Sequence, residues 1–327
     1  MASIRNRDGV WQARVIRKGQ PPVSRSFPTH QEAERWARSI ESDIDRGSYQ
    51  SRSEAERLTF AEIIGRYMEE VTPGLKGAKD DRIRLAALKR RPIASYSMAA
   101  LTPKRLAEYR DERLAKVSAG TVLRDLASIS AIINHSRREW GINIQNPVAL
   151  VRKPTAPRGR DRILNQAEIA LLLNELEPVG RRNIWMKPLV QLALETGMRR
   201  GELLSLRWEN VNVVQRVVFL KDTKNGDSRT VPLSTAAIAV LHRIPRSLTG
   251  RVIPLTIYAM EAAFKKATLR AGLVGVHFHD LRHTAITWMA TVLPNLIELS
   301  AVSGHKSLSM LKRYYHPCAS DLARKLG

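Results

Sequence analysis

Cysteine is almost absent from this chain: Cys318 is the only one in 327 residues. That excludes an intrachain disulfide and any zinc site built from several cysteines, and leaves Cys318 as a small apolar packing residue. No apolar run approaches the roughly 18 residues a membrane-spanning helix needs, and the first residues are polar and charged, unlike a signal peptide. No block of five or six like charges occurs, which argues against a disordered basic tail. Internal repeats and low-complexity segments are also missing. Acidic residues are the last scarcity: 31 against 54 lysines and arginines, a net charge of +23 and a pI near 10.8. An excess of that size points to a polyanion, because each phosphate neutralised releases a condensed counterion.

The excess is spread through foldable sequence. Residues 1–57 carry 11 basic and 8 acidic side chains, residues 58–155 carry 18 and 10, and residues 156–327 carry 25 and 13. A duplex-sized surface shared by more than one domain is the simpler reading, and 43% hydrophobic residues suffice for the cores. The protein is expected to act in the cytoplasm, on DNA, with no membrane partner.

The N-terminus reads as three strands and a helix. Asp8-Gly9 is a tight-turn dipeptide between Ser3–Arg5 and Val10–Val15, and Lys18–Pro22 breaks the chain before a third strand at Val23–Phe27. Thr29 with Glu32 predicts a capping box opening a helix with Ala33, Trp36, Ala37 and Ile40 on one face, ending at Gly47. The open face of the sheet is expected to carry Arg5, Arg14, Arg17 and Arg25 toward a DNA groove. Residues 48–57 read as a linker. Helical patterns then begin at Thr59 and cover 79–91, 103–116 and 120–140, an all-helical domain. Arg152–Arg160, basic and carrying two prolines, reads as a second linker that could follow a phosphate backbone. Beyond it, helices at 165–176, 181–196, 199–206, 234–242, 258–271, 280–291 and 295–302 alternate with strands at 217–220 and 229–233, the two strands joined by a hairpin over Lys221–Ser228.

The residues with chemistry lie in this last third. They are Arg199 in Thr196-Gly197-Met198-Arg199, Lys224 in Thr223-Lys224-Asn225-Gly226, His279 and Arg282 in His279-Asp280-Leu281-Arg282-His283, His305 after Gly304, and Tyr314. Phosphoryl transfer without a metal needs fixed cations for the charge that builds on non-bridging oxygens, and arginine's planar fork supplies them. Arg199 and Arg282 fit that role, and Glu202, one turn beyond Arg199, can hold neighbouring basic groups in place. Lys224, near a hairpin tip, fits a general acid for a leaving 5′ oxygen, with Lys221 as the fallback. His279 can accept the attacking hydroxyl's proton, and His305 can hydrogen-bond a non-bridging oxygen. Tyr314 fits the nucleophile, giving a phosphotyrosine that keeps the bond energy for religation. Tyr315 is its rival, and spacing alone does not separate them. His279 and His283, at i and i+4, have a zinc-compatible spacing, but no glutamate follows His279 and no third ligand is evident.

Taken together, these segments resemble the tyrosine recombinase (phage integrase) family over roughly residues 58–318. Leu206-Arg207-Trp208 and His277–His283 look most like phage and plasmid integrases, including shufflon-type DNA invertases. The resemblance carries the family's Arg, Lys, His-x-x-Arg, His and Tyr positions onto Arg199, Lys224, His279, Arg282, His305 and Tyr314. It favours Tyr314 over Tyr315, since Tyr314 lies nine residues past His305 with Tyr315-His316 following. Ser303, where leucine usually precedes Gly-His, is a small departure.

The implied fold is multidomain and mainly α with small β-sheets. An N-terminal three-stranded sheet with a helix, similar to arm-type DNA-binding modules, would occupy 1–50. An all-helical, SAM-like core-binding domain would occupy 58–150, and a mixed α+β catalytic domain 160–327. The implied activity is site-specific recombination through a 3′-phosphotyrosine and a Holliday junction, with no metal or other cofactor. The implied partners are double-stranded DNA at core-type and arm-type sites, three further copies of the chain in a tetramer, and accessory DNA-bending proteins. The implied setting is a bacterial cytoplasm, at the nucleoid. A brief helix at Asp321–Leu326 would suit exchange with a neighbouring subunit. The rival readings are a type IB topoisomerase-like enzyme and a DNA-binding protein with a dead site.

Overall fold

The computed structural model describes residues 2–17, 22–46, 53–157, 159–180, 182–221, 228–315 and 319–326. It is mainly helical with two small antiparallel sheets, as the sequence leads one to expect. The chain divides into two compact units, Met1–Pro157 and Arg158–Gly327.

The first unit opens with β1 (Ala2–Arg7), β2 (Val10–Val15) and β3 (Val23–Phe27), an antiparallel sheet in that order. Asp8 (φ 51°) and Gly9 (φ 82°) make the turn, both left-handed as a two-residue hairpin of matching twist requires. The helix α1 (His30–Asp45) packs one face, burying Ala33 and Ala37 against Ala13 and Val15. Thr29 caps it, its hydroxyl accepting from the Glu32 amide at 3.3 Å. The reciprocal half of the expected capping box is not formed, and Glu32 Oε2 is buried without a partner.

Register corrects the arginine face. Arg5 pairs with Gln12 and Arg14 with Ser3, which places both, with Arg7, on the side away from α1. Arg25 instead pairs with the buried Ala13, so it stands in the helix-side row, its guanidinium 5.6 Å from the Phe27 ring. Arg17 donates to Asp45 of α1 at 3.0 Å. Alternation along a strand decides this, since neighbouring positions point to opposite faces.

The same unit holds a second core. It is built by α2 (Ser53–Arg57), α3 (Phe60–Glu70), α4 (Ala78–Lys89), α5 (Pro103–Leu114) and α6 (Ala119–Glu139). Residues 53–57, expected as linker, form a helical turn because Ala55 is buried in this core; residues 47–52 lie outside the described segments. Thr59 and Glu62 make a full capping box, amide to hydroxyl at 3.2 Å and amide to carboxylate at 2.7 Å. The apolar stripe Val122, Leu126, Ile129, Ile132 and Ile133 of α6 packs against Phe60, Ile63, Ile64 and Leu106, all 2% exposed or less. Each such side chain contributes about 1.5–3 kcal/mol on burial. The acid among them, Asp125, accepts from Tyr109 at 3.1 Å and Arg113 at 2.9 Å.

The second unit runs α7 (Gln166–Glu175), α8 (Met186–Thr196), α9 (Arg200–Ser205), β4 (Val211–Asn212), β5 (Val217–Leu220), β6 (Arg229–Pro232), α10 (Thr235–Arg243), α11 (Ile257–Arg270), α12 (Phe278–Val292), α13 (Leu296–Ser303), α14 (Leu308–Leu311) and α15 (Ala319–Leu326). The strands form one antiparallel sheet, β4-β5-β6. Strand β4 is too short to show an alternating pattern in sequence, and α8 starts five residues later than expected. Leu189, Val190, Leu192 and Ala193 of α8 lie at the centre of a core shared with α9, α10, α11 and the sheet. A smaller cluster of Ile286, Ala290, Leu299, Leu311 and Tyr314 closes one end. Among the described residues, no helix is long and apolar enough to cross a membrane.

Candidate active site

Helix ends build the site. Helix α8 stops at Gly197, whose φ of 59° is left-handed, a conformation that a side chain would strain. The chain reverses there and delivers Arg199 as the N-cap of α9. Its amide donates to Glu202 Oε2 at 2.8 Å, and its guanidinium donates to Glu202 Oε1 at 2.9 Å and to the Gly304 carbonyl at 3.1 Å.

Arg282, on α12, is 3% exposed. It donates to the Gly197 carbonyl and, at 2.7 Å, to the Ser303 carbonyl. These oxygens end α8 and α13, where unpaired carbonyls carry the negative end of the helix dipole. Burial, then Arg199 close by, lowers its pKa to about 10; an arginine there remains charged at neutral pH.

Glu202 is the counterweight. It is 6% exposed and receives a second guanidinium, Arg229 of β6, at 2.8 Å. Burial alone would raise its pKa, but Arg229 and Arg199 hold it below the usual carboxylate range. Arg229 also donates to the Val302 carbonyl at 2.5 Å. Its side chain occupies the space beside Gly304, where a Cβ would stand 2.7 Å from the guanidinium. Gly304 (φ 68°) is thus fixed by both conformation and contact.

Two imidazoles lie against the phenol, and a third packs on one of them. His305 follows Gly304, and its Nδ1 lies 2.8 Å from the Ser303 hydroxyl. His279 stands edge to face with His283, centroids 4.9 Å apart. The His283 Nδ1 lies 2.5 Å from the Tyr314 hydroxyl, with the two rings stacked at 5.7 Å; the His305 ring is 6.0 Å from the phenol. Tyr314 ends a single turn of 3₁₀ helix, Lys312–Tyr314, and is 8% exposed. Burial raises its pKa, with Arg313 and Arg282 opposing. Tyr315 continues in extended backbone and is less buried.

Arg199, Arg282, His279, His305 and Tyr314 are therefore brought together within one unit. Lys224 lies outside the described residues, while its fallback Lys221 is exposed at the end of β5. Among the described residues no group of three or more His, Cys, Asp or Glu could hold a metal ion. Arg160 is not left for a phosphate: its guanidinium takes the Asp280 carboxylate at 2.7 and 2.8 Å. Asp280 also accepts from the His277 amide at 2.8 Å, capping α12. The pairings of Arg229 with Glu202 and of Arg160 with Asp280 carry no local signal in the sequence, since the partners lie 27 and 120 residues apart. A cleft of about 830 Å³ opens beside Arg199, Arg200, His277 and His279.

The imidazoles predict acid lability. Burial first, then neighbouring cations and His279, lowers His283 to about 4; burial, then Arg282 and Arg199, does the same for His305. A group depressed in the folded state favours folding above its unfolded value, near 6.5, and that stability is lost as pH falls toward 4. The urea midpoint is expected to fall between about pH 6.5 and about pH 4.5, and to fall less in His283→Asn and His305→Asn. An unchanged wild-type midpoint over that window would show that neither ring is desolvated.

Residues 162–320 match the Phage integrase family. The chain is 39% identical over 279 residues to the shufflon-specific DNA recombinase of Escherichia coli, covering 83% of this chain and 72% of that protein. In fold it is similar to a lambda integrase dimer bound to a COC′ core site, with a TM-score of 0.66 and 20% identity over 99% of this chain and 95% of that one. The Tn1549 transposon integrase in complex with circular intermediate DNA gives 0.65 at 18% identity, over 83% and 99%. The chain belongs to the phage integrase family of tyrosine recombinases.

Proposed function

We propose that this protein is a site-specific recombinase that cuts and rejoins duplex DNA through a 3′-phosphotyrosine on Tyr314. The observation that carries this reading is the gathering of Arg199, Arg282, His279, His283 and His305 about the buried Tyr314, with the His283 Nδ1 on its hydroxyl. In the proposed reaction the Tyr314 oxygen bonds to phosphorus and the bond from phosphorus to the 5′ oxygen breaks. Arg199 and Arg282 stabilise the non-bridging oxygens, with His305 donating to one of them. Lys224, with Lys221 as fallback, protonates the leaving 5′ oxygen. The 5′ hydroxyl of a partner strand then attacks the phosphotyrosine, and four protomers form and resolve a Holliday junction. The lambda integrase structures support that assembly by likeness, since one of them is a tetramer bound to a Holliday junction.

The domain roles follow the same reading. Residues 160–327 perform the chemistry and residues 58–150 grip the core-type site. Residues 1–50 present Arg5, Arg7 and Arg14 to arm-type DNA, and accessory bending proteins bring the two sites together. The protein would work in the cytoplasm, at the nucleoid.

The test is a trapping experiment on duplexes carrying candidate attachment sites, nicked beside the cleavage position so that religation fails. A protein–DNA adduct that survives denaturation and maps to the 3′-phosphate is expected. Specific binding without an adduct would replace the enzyme reading with that of a binding protein. Relaxation of supercoils by a monomer without strand exchange would replace it with a topoisomerase.

A further inference from the structure

We propose that His283 is a further catalytic residue: it accepts the Tyr314 phenolic proton as the oxygen attacks phosphorus, and returns it when Tyr314 is expelled. This rests on Tyr314 being the nucleophile. Of the three imidazoles in the site, His283 is the one whose ring nitrogen is seen on the hydroxyl, 2.5 Å from Nδ1. The Nδ1 of His305 is 2.8 Å from the Ser303 hydroxyl, and the phenol lies 6.0 Å from that ring, centroid to centroid. His279 meets His283 edge to face and, beside Arg282 on α12, is placed for the phosphate rather than the phenol. The assignment moves to His283 the proton that the sequence reading gives to His279.

The arrangement suits a base that stays idle until DNA arrives. His283 is 7% exposed and neutral at neutral pH, so with the proton on Nε2 its Nδ1 accepts from the phenol. In the resting chain the proton stays on oxygen, because burial raises the phenol and depresses the imidazole. The groups that face the ring are His279, Arg313, Arg282 and Asp280, cationic on balance. A phosphate bound at Arg199 and Arg282 cancels part of that charge and makes transfer to Nδ1 easier at the moment the oxygen needs to lose its proton. Atoms balance: the phenolic oxygen gains phosphorus and loses its proton to Nδ1, while the 5′ oxygen loses phosphorus and gains a proton from the general acid. In the reverse step Nδ1–H donates to the departing tyrosine oxygen. Stacking against Tyr314 holds the ring in line for both directions.

The experiment uses the full chain and the nicked duplexes that trap the wild-type adduct. His283→Ala and the nearly isosteric His283→Asn are expected to bind DNA as wild type does and to form adduct roughly 10²-fold more slowly. Free imidazole should accelerate His283→Ala and leave the wild type unchanged. A duplex with a 5′-bridging sulfur, which leaves without an acid, should rescue Lys224→Ala but not His283→Ala. Adduct formation by His283→Asn within about threefold of wild type would overturn the assignment, as would sulfur rescue of His283→Ala or loss of DNA binding by both variants, which would mark the ring as structural. Absence of an adduct from the wild type would instead overturn the reading of Tyr314.

Discussion

Tyr314→Phe is expected to abolish the covalent adduct completely while leaving DNA affinity within a few-fold of wild type. The substitution removes one oxygen and keeps the ring, so the stack on His283 and the packing among Ile286, Leu299 and Leu311 persist. The lost hydrogen bond to His283 Nδ1 costs about 1 kcal/mol, too little to unfold the unit. DNA affinity rests on phosphate contacts by lysine and arginine and is sensitive to salt rather than to this phenol. Tyr315→Phe is the control and should cleave normally, because Tyr315 stands outside the cluster of imidazoles. A gel in which Tyr315→Phe loses the adduct and Tyr314→Phe keeps it would place the nucleophile one residue later. It would also remove the basis for assigning His283.

Arg282→Ala is expected to slow adduct formation by roughly 10²–10³-fold or more. The guanidinium is the most deeply buried cation of the site and holds two helix-terminal carbonyls, of Gly197 and Ser303. Its loss takes away a charge aimed at the phosphate and also leaves those oxygens unpaired, each costing about 1–3 kcal/mol. Stability and rate should therefore fall together. Arg282→Lys separates the two effects: it restores the charge but not the planar fork, so folding should recover more than cleavage. Arg199→Ala gives the complementary case. Arg199 is 21% exposed and its anchor Glu202 keeps Arg229, so a comparable rate loss should come with a smaller drop in the denaturation midpoint. Near-native cleavage by either alanine variant, measured as single-turnover adduct formation, would sink the proposed site.

The outline of this molecule is written locally, and the site is not. Asp8-Gly9 and Thr59 announce a turn and a helix start locally, and the structure forms both where the sequence puts them. The Thr29–Glu32 pair has the letters of the Thr59–Glu62 box but closes only half of it, and Glu32 Oε2 is buried without a partner. Parity alone places Arg25: Val23 and Phe27 flank it at even spacing, so it shares their helix-facing row and not the open face. The convergence of Arg199, Arg282, His305 and Tyr314 follows from family resemblance and not from periodicity, which is blind to contacts across 85 or 105 residues. For the same reason no pattern pointed to Arg229 as the second partner of Glu202. In the sequence His283 is legible only as half of a zinc-spaced pair with His279, since i, i+4 spacing says nothing about a tyrosine 31 residues on.

The carbonyls that hold Arg282 and Arg199 belong to Gly197, Ser303 and Gly304, the last residues of two helices a hundred positions apart along the chain. Arg282 is not fixed until both helices have docked on α12, nor Arg199 until the second has arrived, and contacts of such separation are among the slowest a chain makes. On the proposed reading, a copy still partly folded lacks the aimed arginines that strand cleavage would need. The site is thus assembled last, by the tertiary structure rather than by any one helix.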